Sequence, residues 1–130
     1  MKFGYTIIYV ADVEATLHFY GQAFDFEIRF LHESKEYGEL ATGETTLAFA
    51  SFAMGDMNLA GKYQRVNLSN DPFGVEIAFV SDAVEAAYAK AIQAGAHAVK
   101  PPQLKPWGQT VGYVRAPEGT LVELCSPVGA

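Results

Sequence analysis

The stretch Val10-Ala11-Asp12-Val13-Glu14-Ala15-Thr16-Leu17-His18-Phe19-Tyr20 has a second copy of its centre further along the chain, Val84-Glu85-Ala86, and the reading of these two segments decides the fold. Sliding the sequence so that Val13 meets Val84 also sets Gln22 on Gln93 and Ala23 on Ala94, and no gap is needed from Tyr5 on Glu76 to Ile28 on Val99. The same order of elements surrounds each copy. Residues 3–10 are rich in β-branched and aromatic side chains, a strand composition. Asp12 then offers a helix cap, and Val13, Leu17, Tyr20 and Phe24 recur on one face of a 3.6-residue period. Residues 74–80 repeat the strand. Asp82 followed by Glu85 reads as a capping box, and Val84, Tyr88, Ala91 and Gly95 mark the second helix and its end.

Short strands are expected at 26–33, 37–42 and 45–51, divided by turn-like Ser34-Lys35-Glu36 and Gly43-Glu44, and again at 109–115 and 120–125. The expected fold is therefore α+β. Two tandem β-α-β-β-β modules, related by pseudo-twofold symmetry, form a curved mixed sheet around a cleft, because each helix stripe and sheet face needs a partner to bury it. The chain reads as one domain, 1–130, with module one at 3–51, a linker or mobile flap at 52–73 where Gly, Asn, Asp and Pro interrupt the pattern, and module two at 74–128.

Composition bounds the function. A chain of 130 residues, half hydrophobic and 18% charged, can bury a substantial core. The net charge of -6, with nine scattered basic residues, argues against nucleic acid, whose phosphates require clustered Lys and Arg. An acidic balance suits neutral or cationic small molecules; it also simply keeps a protein soluble. Cys125 is the only cysteine, so no internal disulfide forms, and its strand setting reads as a small hydrophobe. No apolar run reaches membrane-span length and the first residues lack a signal-peptide pattern, so the expected location is cytoplasmic, with no membrane partner.

Val10-Ala11-Asp12-Val13-Glu14, Phe19-Tyr20, Ala23-Phe24 and above all Ala116-Pro117-Glu118-Gly119-Thr120-Leu121-Val122-Glu123-Leu124 resemble the signatures of the glyoxalase/bleomycin resistance/dioxygenase (vicinal oxygen chelate) superfamily. The closing motif departs from the family pattern at Ala116, where an acidic residue is usual. The resemblance covers nearly the whole chain and implies paired β-α-β-β-β modules, a homodimer and one of several chemistries. In its metal-using members, each half supplies ligands from its first and last strands. Carried over by motif, those positions are Tyr5 and Ala48 in module one and Glu76 and Glu123 in module two.

Ala48 has no donor atom, and a phenol is a rare ligand outside haem and iron sites. No metal and no cofactor are therefore expected. His18 falls on the solvent side of its helix, and His32 and His97 fall at no ligand position. Glu76 and Glu123 interrupt apolar strands, where an ionised carboxylate must be paired, wet or protonated. They read as candidate catalytic or cation-binding groups, or as relics satisfied by water or by Tyr5. Ala48, Ala50 and Ala78 leave room for a ligand, or allow close helix–sheet packing; Trp107, in a Pro/Gly loop, is placed to lid a pocket or to pack elsewhere. Which face Tyr37, Glu39 and His32 take is not decided by the sequence. The expected ligand site is thus Tyr5, Ala48, Glu76, Trp107 and Glu123.

Two functions fit these residues. One is a metal-free protein that sequesters a small or cationic molecule, as the resemblance to bleomycin-resistance proteins implies. The other is a lyase, isomerase or dioxygenase, similar to lactoylglutathione lyase, with Glu76 and Glu123 as acid and base or as ligands of a rearranged metal shell. The purified protein is expected to hold no stoichiometric divalent ion and to show no metal-stimulated glyoxalase activity. Elemental analysis finding one equivalent of zinc, nickel or iron would overturn that expectation.

Overall fold

The computed structural model describes residues 1–129, which form two compact units, Met1–Val66 and the chain from Asn67 onward. Unit one contains β1 (Tyr5–Val10), α1 (Val13–Phe24), β2 (Ile28–Leu31), β3 (Tyr37–Leu40), β4 (Thr46–Ser51) and α2 (Phe52–Leu59). Unit two contains β5 (Ile77–Val80), α3 (Val84–Gln93), β6 (His97–Leu104), β7 (Thr110–Arg115) and β8 (Leu121–Cys125). Each has a four-stranded mixed sheet, in the orders β1-β4-β3-β2 and β5-β8-β7-β6. First and last strands pair in parallel and the remaining neighbours antiparallel, so the tandem β-α-β-β-β modules are present with one topology written twice. Neither sheet closes into a barrel.

Register carries the duplication further than the sequence identities do. A Cβ on Gly38 of β3 would lie 2.5 Å from Leu17 of α1, and a Cβ on Gly112 of β7 would lie 3.2 Å from Tyr88 of α3. Leu17 and Tyr88 are the residues that the Val13/Val84 alignment superposes. Each helix therefore sits on its sheet over a glycine, the residue that lets a side chain approach the backbone most closely. Two residues after each glycine the edge strand carries a bulge: Ile28 pairs with Leu40 and Phe30 with Glu39, and likewise Ala98 with Val114 and Lys100 with Tyr113. The extra residue, Arg29 or Val99, is squeezed out of the ladder.

The α1 stripe lies as its period requires, with Val13, Leu17 and Tyr20 at 2% exposure or less and Phe24 half-buried. Tyr20 packs on Phe49 of β4 at 4.8 Å between ring centres. The faces of sheet one follow from this contact and from Gly38: Gly38, Leu40 and Phe49 turn to the helix, and Tyr37, Glu39, Ala48 and Ala50 turn away. In sheet two, Gly112, Val114, Val122 and Leu124 turn to α3, leaving Tyr113, Glu123 and Cys125 on the other face.

Three expectations are corrected. The segment read as linker or flap begins with α2, capped by the Ser51 hydroxyl on the Met54 N–H and ended by Ala60 in the left-handed region. It shows no apolar stripe because its buried residue is Gly55, which lies against the Tyr63 ring; Tyr63 also donates to the Phe52 carbonyl and packs at a tilt against Tyr9. The capping box at Asp82 does not form. Ala83 occupies the N-cap of α3 and makes no side-chain cap bond, whereas Asp12, its counterpart in module one, accepts from the Ala15 N–H at 3.0 Å. Finally, β5 begins at Ile77, so Glu76 stands just outside the ladder.

The caps give a direct comparison of the two modules. Asp12→Ala should lower stability by about 1 kcal/mol, while Ala83→Ser, which supplies a missing oxygen, should raise it by about 0.5–1 kcal/mol. Denaturant unfolding of the two variants reads this out; a destabilised Ala83→Ser protein would contradict the assignment of Ala83 as the open cap.

Candidate functional site

The parallel pairing of β5 with β8 sets Ala78 beside Glu123, and the antiparallel β7 sets Tyr113 on its other side. Side chains of paired residues project to the same face. Tyr113, Glu123 and Cys125 thus share the face away from α3, and Glu76 joins them from the end of β5 through a hydrogen bond between its carboxyl and that of Glu123. The Tyr113 hydroxyl donates to Glu123 Oε1 at 3.1 Å. The Cys125 thiol donates to the Phe79 carbonyl at 3.8 Å.

The electrostatics follow from this packing. Loss of hydration against the sheet, then the hydrogen bond and the negative charge of Glu123, raise the Glu76 carboxyl above the ordinary carboxylate range. Glu76 remains exposed as a residue. It is therefore a wet carboxyl held beside a like charge. Burial, then the bond to Glu123, pushes the Tyr113 phenol up to about 12, and the same causes push the Cys125 thiol up to about 11. Cys125 is buried and its raised pKa keeps it a thiol at neutral pH, so it is a poor nucleophile.

Module one places different chemistry on the corresponding face. By register Ala48 is the counterpart of Glu123: it lies between Ile7 of β1 and Glu39 of β3, fully buried and without a donor. The carboxylate of this face stands one strand over. Glu39 accepts from the Tyr37 hydroxyl at 2.7 Å and faces the Arg29 guanidinium at 3.8 Å, and Arg29 reaches the Thr46 hydroxyl at 3.4 Å. Burial and then Glu39 raise the Tyr37 phenol. The face of Tyr37 and Glu39, open in the sequence, is thus the one away from α1. Tyr5 is on the same face, more than half exposed, and His32 is exposed with its ring nitrogen bonded to Ser34.

Of the five expected ligand-site residues, Glu76 and Glu123 are in direct contact. Tyr5 and Ala48 share one sheet face in unit one. Trp107 is exposed at the tip of the β6–β7 hairpin, its indole N–H donating to Gln109 Oε1 at 2.8 Å. No local pattern in the sequence singles out Tyr113. Its place opposite Glu123 depends on the β7–β8 register, and alternation along β7 alone does not supply it. The donor set does not fit a four-ligand metal centre: Ala48 offers no atom, and among the described residues no three His, Cys, Asp or Glu side chains cluster.

A family model described as Glyoxalase/Bleomycin resistance protein/Dioxygenase superfamily matches residues 2–124. No curated protein matches the chain. Solved structures do. A glyoxalase-related enzyme from Fulvimarina pelagi is 20% identical with a TM-score of 0.83, covering 100% of this chain and 94% of its own. A glyoxalase/bleomycin resistance protein/dioxygenase family enzyme from Burkholderia phytofirmans PsJN is 24% identical with a TM-score of 0.77, covering 97% of this chain and 98% of its own. A superfamily member from Sphaerobacter thermophilus is 20% identical with a TM-score of 0.75, covering 98% of each. At these identities the likeness is one of fold.

The raised Glu76 carboxyl has a consequence for stability whose sign is fixed. A group whose pKa is higher in the folded state stabilises the fold below its unfolded pKa and loses that contribution as pH rises through the folded value. Glu76→Gln removes the repulsion, so the variant should be more stable than the parent at pH 7 and the difference should vanish below about pH 4, the unperturbed carboxylate range. Urea titrations across that window test it; a variant equally destabilised at both ends would show that Glu76 carries no such charge conflict.

Proposed function

The chain belongs to the glyoxalase/bleomycin resistance protein/dioxygenase superfamily, and on that basis we propose that it is a small-molecule-binding member whose module two takes a cationic ligand on Glu76 and Glu123. The observation that carries this reading is the contact of two carboxyls, Glu76 and Glu123, on the sheet face away from α3, where the like charge raises the Glu76 carboxyl. A ligand ammonium relieves the like-charge contact and donates hydrogen bonds to both carboxylates. Tyr113 holds Glu123 in place for it. Trp107 is proposed as exposed aromatic surface of the same module, and in unit one Tyr5, which is exposed, and Ala48, the small residue of its strand, are proposed as ligand-binding positions on that unit's own sheet face. The reading includes a single-domain chain acting in the cytoplasm as a homodimer. No helix among the described residues is long and apolar enough to cross a membrane.

The raised Glu76 carboxyl also favours a second reading, acid/base catalysis of the lyase or isomerase kind. A carboxyl displaced toward neutral pH beside a second carboxylate can take a proton from a carbon acid and return it. Turnover without added metal would distinguish this from sequestration.

The test uses a simple aromatic cation, benzylammonium, and its neutral isostere benzyl alcohol. Calorimetric affinity for the cation should rise with pH through the range where Glu76 loses its proton, with release of that proton to buffer. The double variant Glu76→Gln, Glu123→Gln should bind at least tenfold more weakly and lose the pH dependence while keeping its fold. Equal affinity for cation and alcohol, or an unchanged double variant, would refute the reading.

A further inference from the structure

Arg115, at the end of β7, is 8% exposed, and all of its donors are engaged. Nε donates to the Gly119 carbonyl at 3.1 Å; Nη2 donates to the same oxygen at 2.8 Å and to Asn67 at 3.0 Å; Nη1 donates to Leu68 at 3.3 Å and to Asn70. A guanidinium has five N–H donors, and here five bonds converge on four backbone carbonyls. Three of those carbonyls belong to one short segment, 67–70, the first residues of unit two. That segment is itself a turn, with Ser69 N–H on Asn67 Oδ1 and Asn70 N–H on the Asn67 carbonyl.

The turn between β7 and β8 is shaped to receive this segment. Gly119 has φ of 112°, a conformation that an L side chain rarely adopts, and a Cβ on it would meet the Asn67 and Leu68 backbone at 2.8–2.9 Å. The chain of residues 67–68 thus lies on the glycine, while the arginine beside it takes the segment's carbonyls. Each side needs the other. Without residues 67–70, a buried cation would lose three of its five bonds; without Arg115, the Leu68 and Asn70 carbonyls would lose this donor and the Asn67 carbonyl would keep only the Asn70 N–H.

We propose that Arg115 and Gly119 form a latch that fastens residues 67–70 to module two and so holds the segment leading into β5. Its consequence falls on Glu76. That residue lies outside the β5 ladder, so strand pairing alone does not restrain it; the chain around it is held at Ile77 by β8 and at Asn70 by the latch. Module two therefore begins structurally at Asn67, well before its first strand. The latch does not depend on what Glu76 and Glu123 bind, and its test reads the arginine and the backbone directly.

In the unmodified protein, nitrogen-detected NMR of arginine side chains should show Arg115 with slowed rotation of its guanidinium and resolved Nη signals, and with an Nε–H that exchanges slowly. Arg29, half-exposed and held by one 3.4 Å bond and the 3.8 Å ion pair with Glu39, serves as the averaged control. In Arg115→Met, amide hydrogen exchange over residues 67–76 should accelerate at least tenfold while α1 and β4 keep their protection. An Arg115 as averaged as Arg29 overturns the proposal, as does a folded Arg115→Met protein with exchange over 67–76 unchanged. If Arg115→Met does not fold, the measurement on the unmodified chain decides.

Discussion

In each module everything rests on the parallel pairing of its first strand with its last. β1 lies beside β4 and β5 beside β8, and the helix that follows each first strand packs back across the sheet. These contacts join residues about forty positions apart, so they close only after the intervening strands have formed, and loop-closure entropy makes them the expensive ones. Once made, they determine which side chains are neighbours. Glu123 meets Ala78 and Tyr113, and Ala48 meets Ile7 and Glu39, only because the last strand lies between the first and third.

One plan has accordingly been used for two electrostatic outcomes. Each sheet has a Tyr–Glu hydrogen bond on the face away from its helix, Tyr37 to Glu39 in module one and Tyr113 to Glu123 in module two. The difference lies in the third partner. Glu39 has the bulge residue Arg29, which compensates its charge; Glu123 has Glu76, which opposes it. A surface pair of the first kind contributes little to stability and settles a local geometry. The second leaves a carboxyl raised above its ordinary range, the electrostatic signature expected of a group available for binding or proton transfer.

α2 escaped because it packs by a glycine, and a residue without a side chain leaves no mark on an apolar period. The capping box at Asp82 failed because the chain enters α3 one residue later than the acidic residue, with Ala83 at the cap. The alternation around Glu76 reads as strand, yet the β5–β8 ladder starts after it. Tyr113 and Arg115 carry no local signal, because their partners, Glu123 and the carbonyls of 67–70, are distant in sequence or belong to the backbone.

What the sequence alone determined was the repeat and its elements. The Val13/Val84 alignment, the helix stripe through Leu17 and Tyr20, the strand compositions and the Pro117-Glu118-Gly119 turn are local patterns, set by side-chain period and backbone preference, and they are enough to specify two β-α-β-β-β modules. They also marked Glu76 and Glu123 as charges out of place. Tertiary structure decided the company those charges keep. Register across three strands brought Tyr113 to Glu123 and left Ala48 without a donor, and a buried guanidinium gathered a distant turn onto Gly119. Such contacts depend on the alignment of separate segments to within one residue, and a shift of one position would turn every side chain to the opposite face.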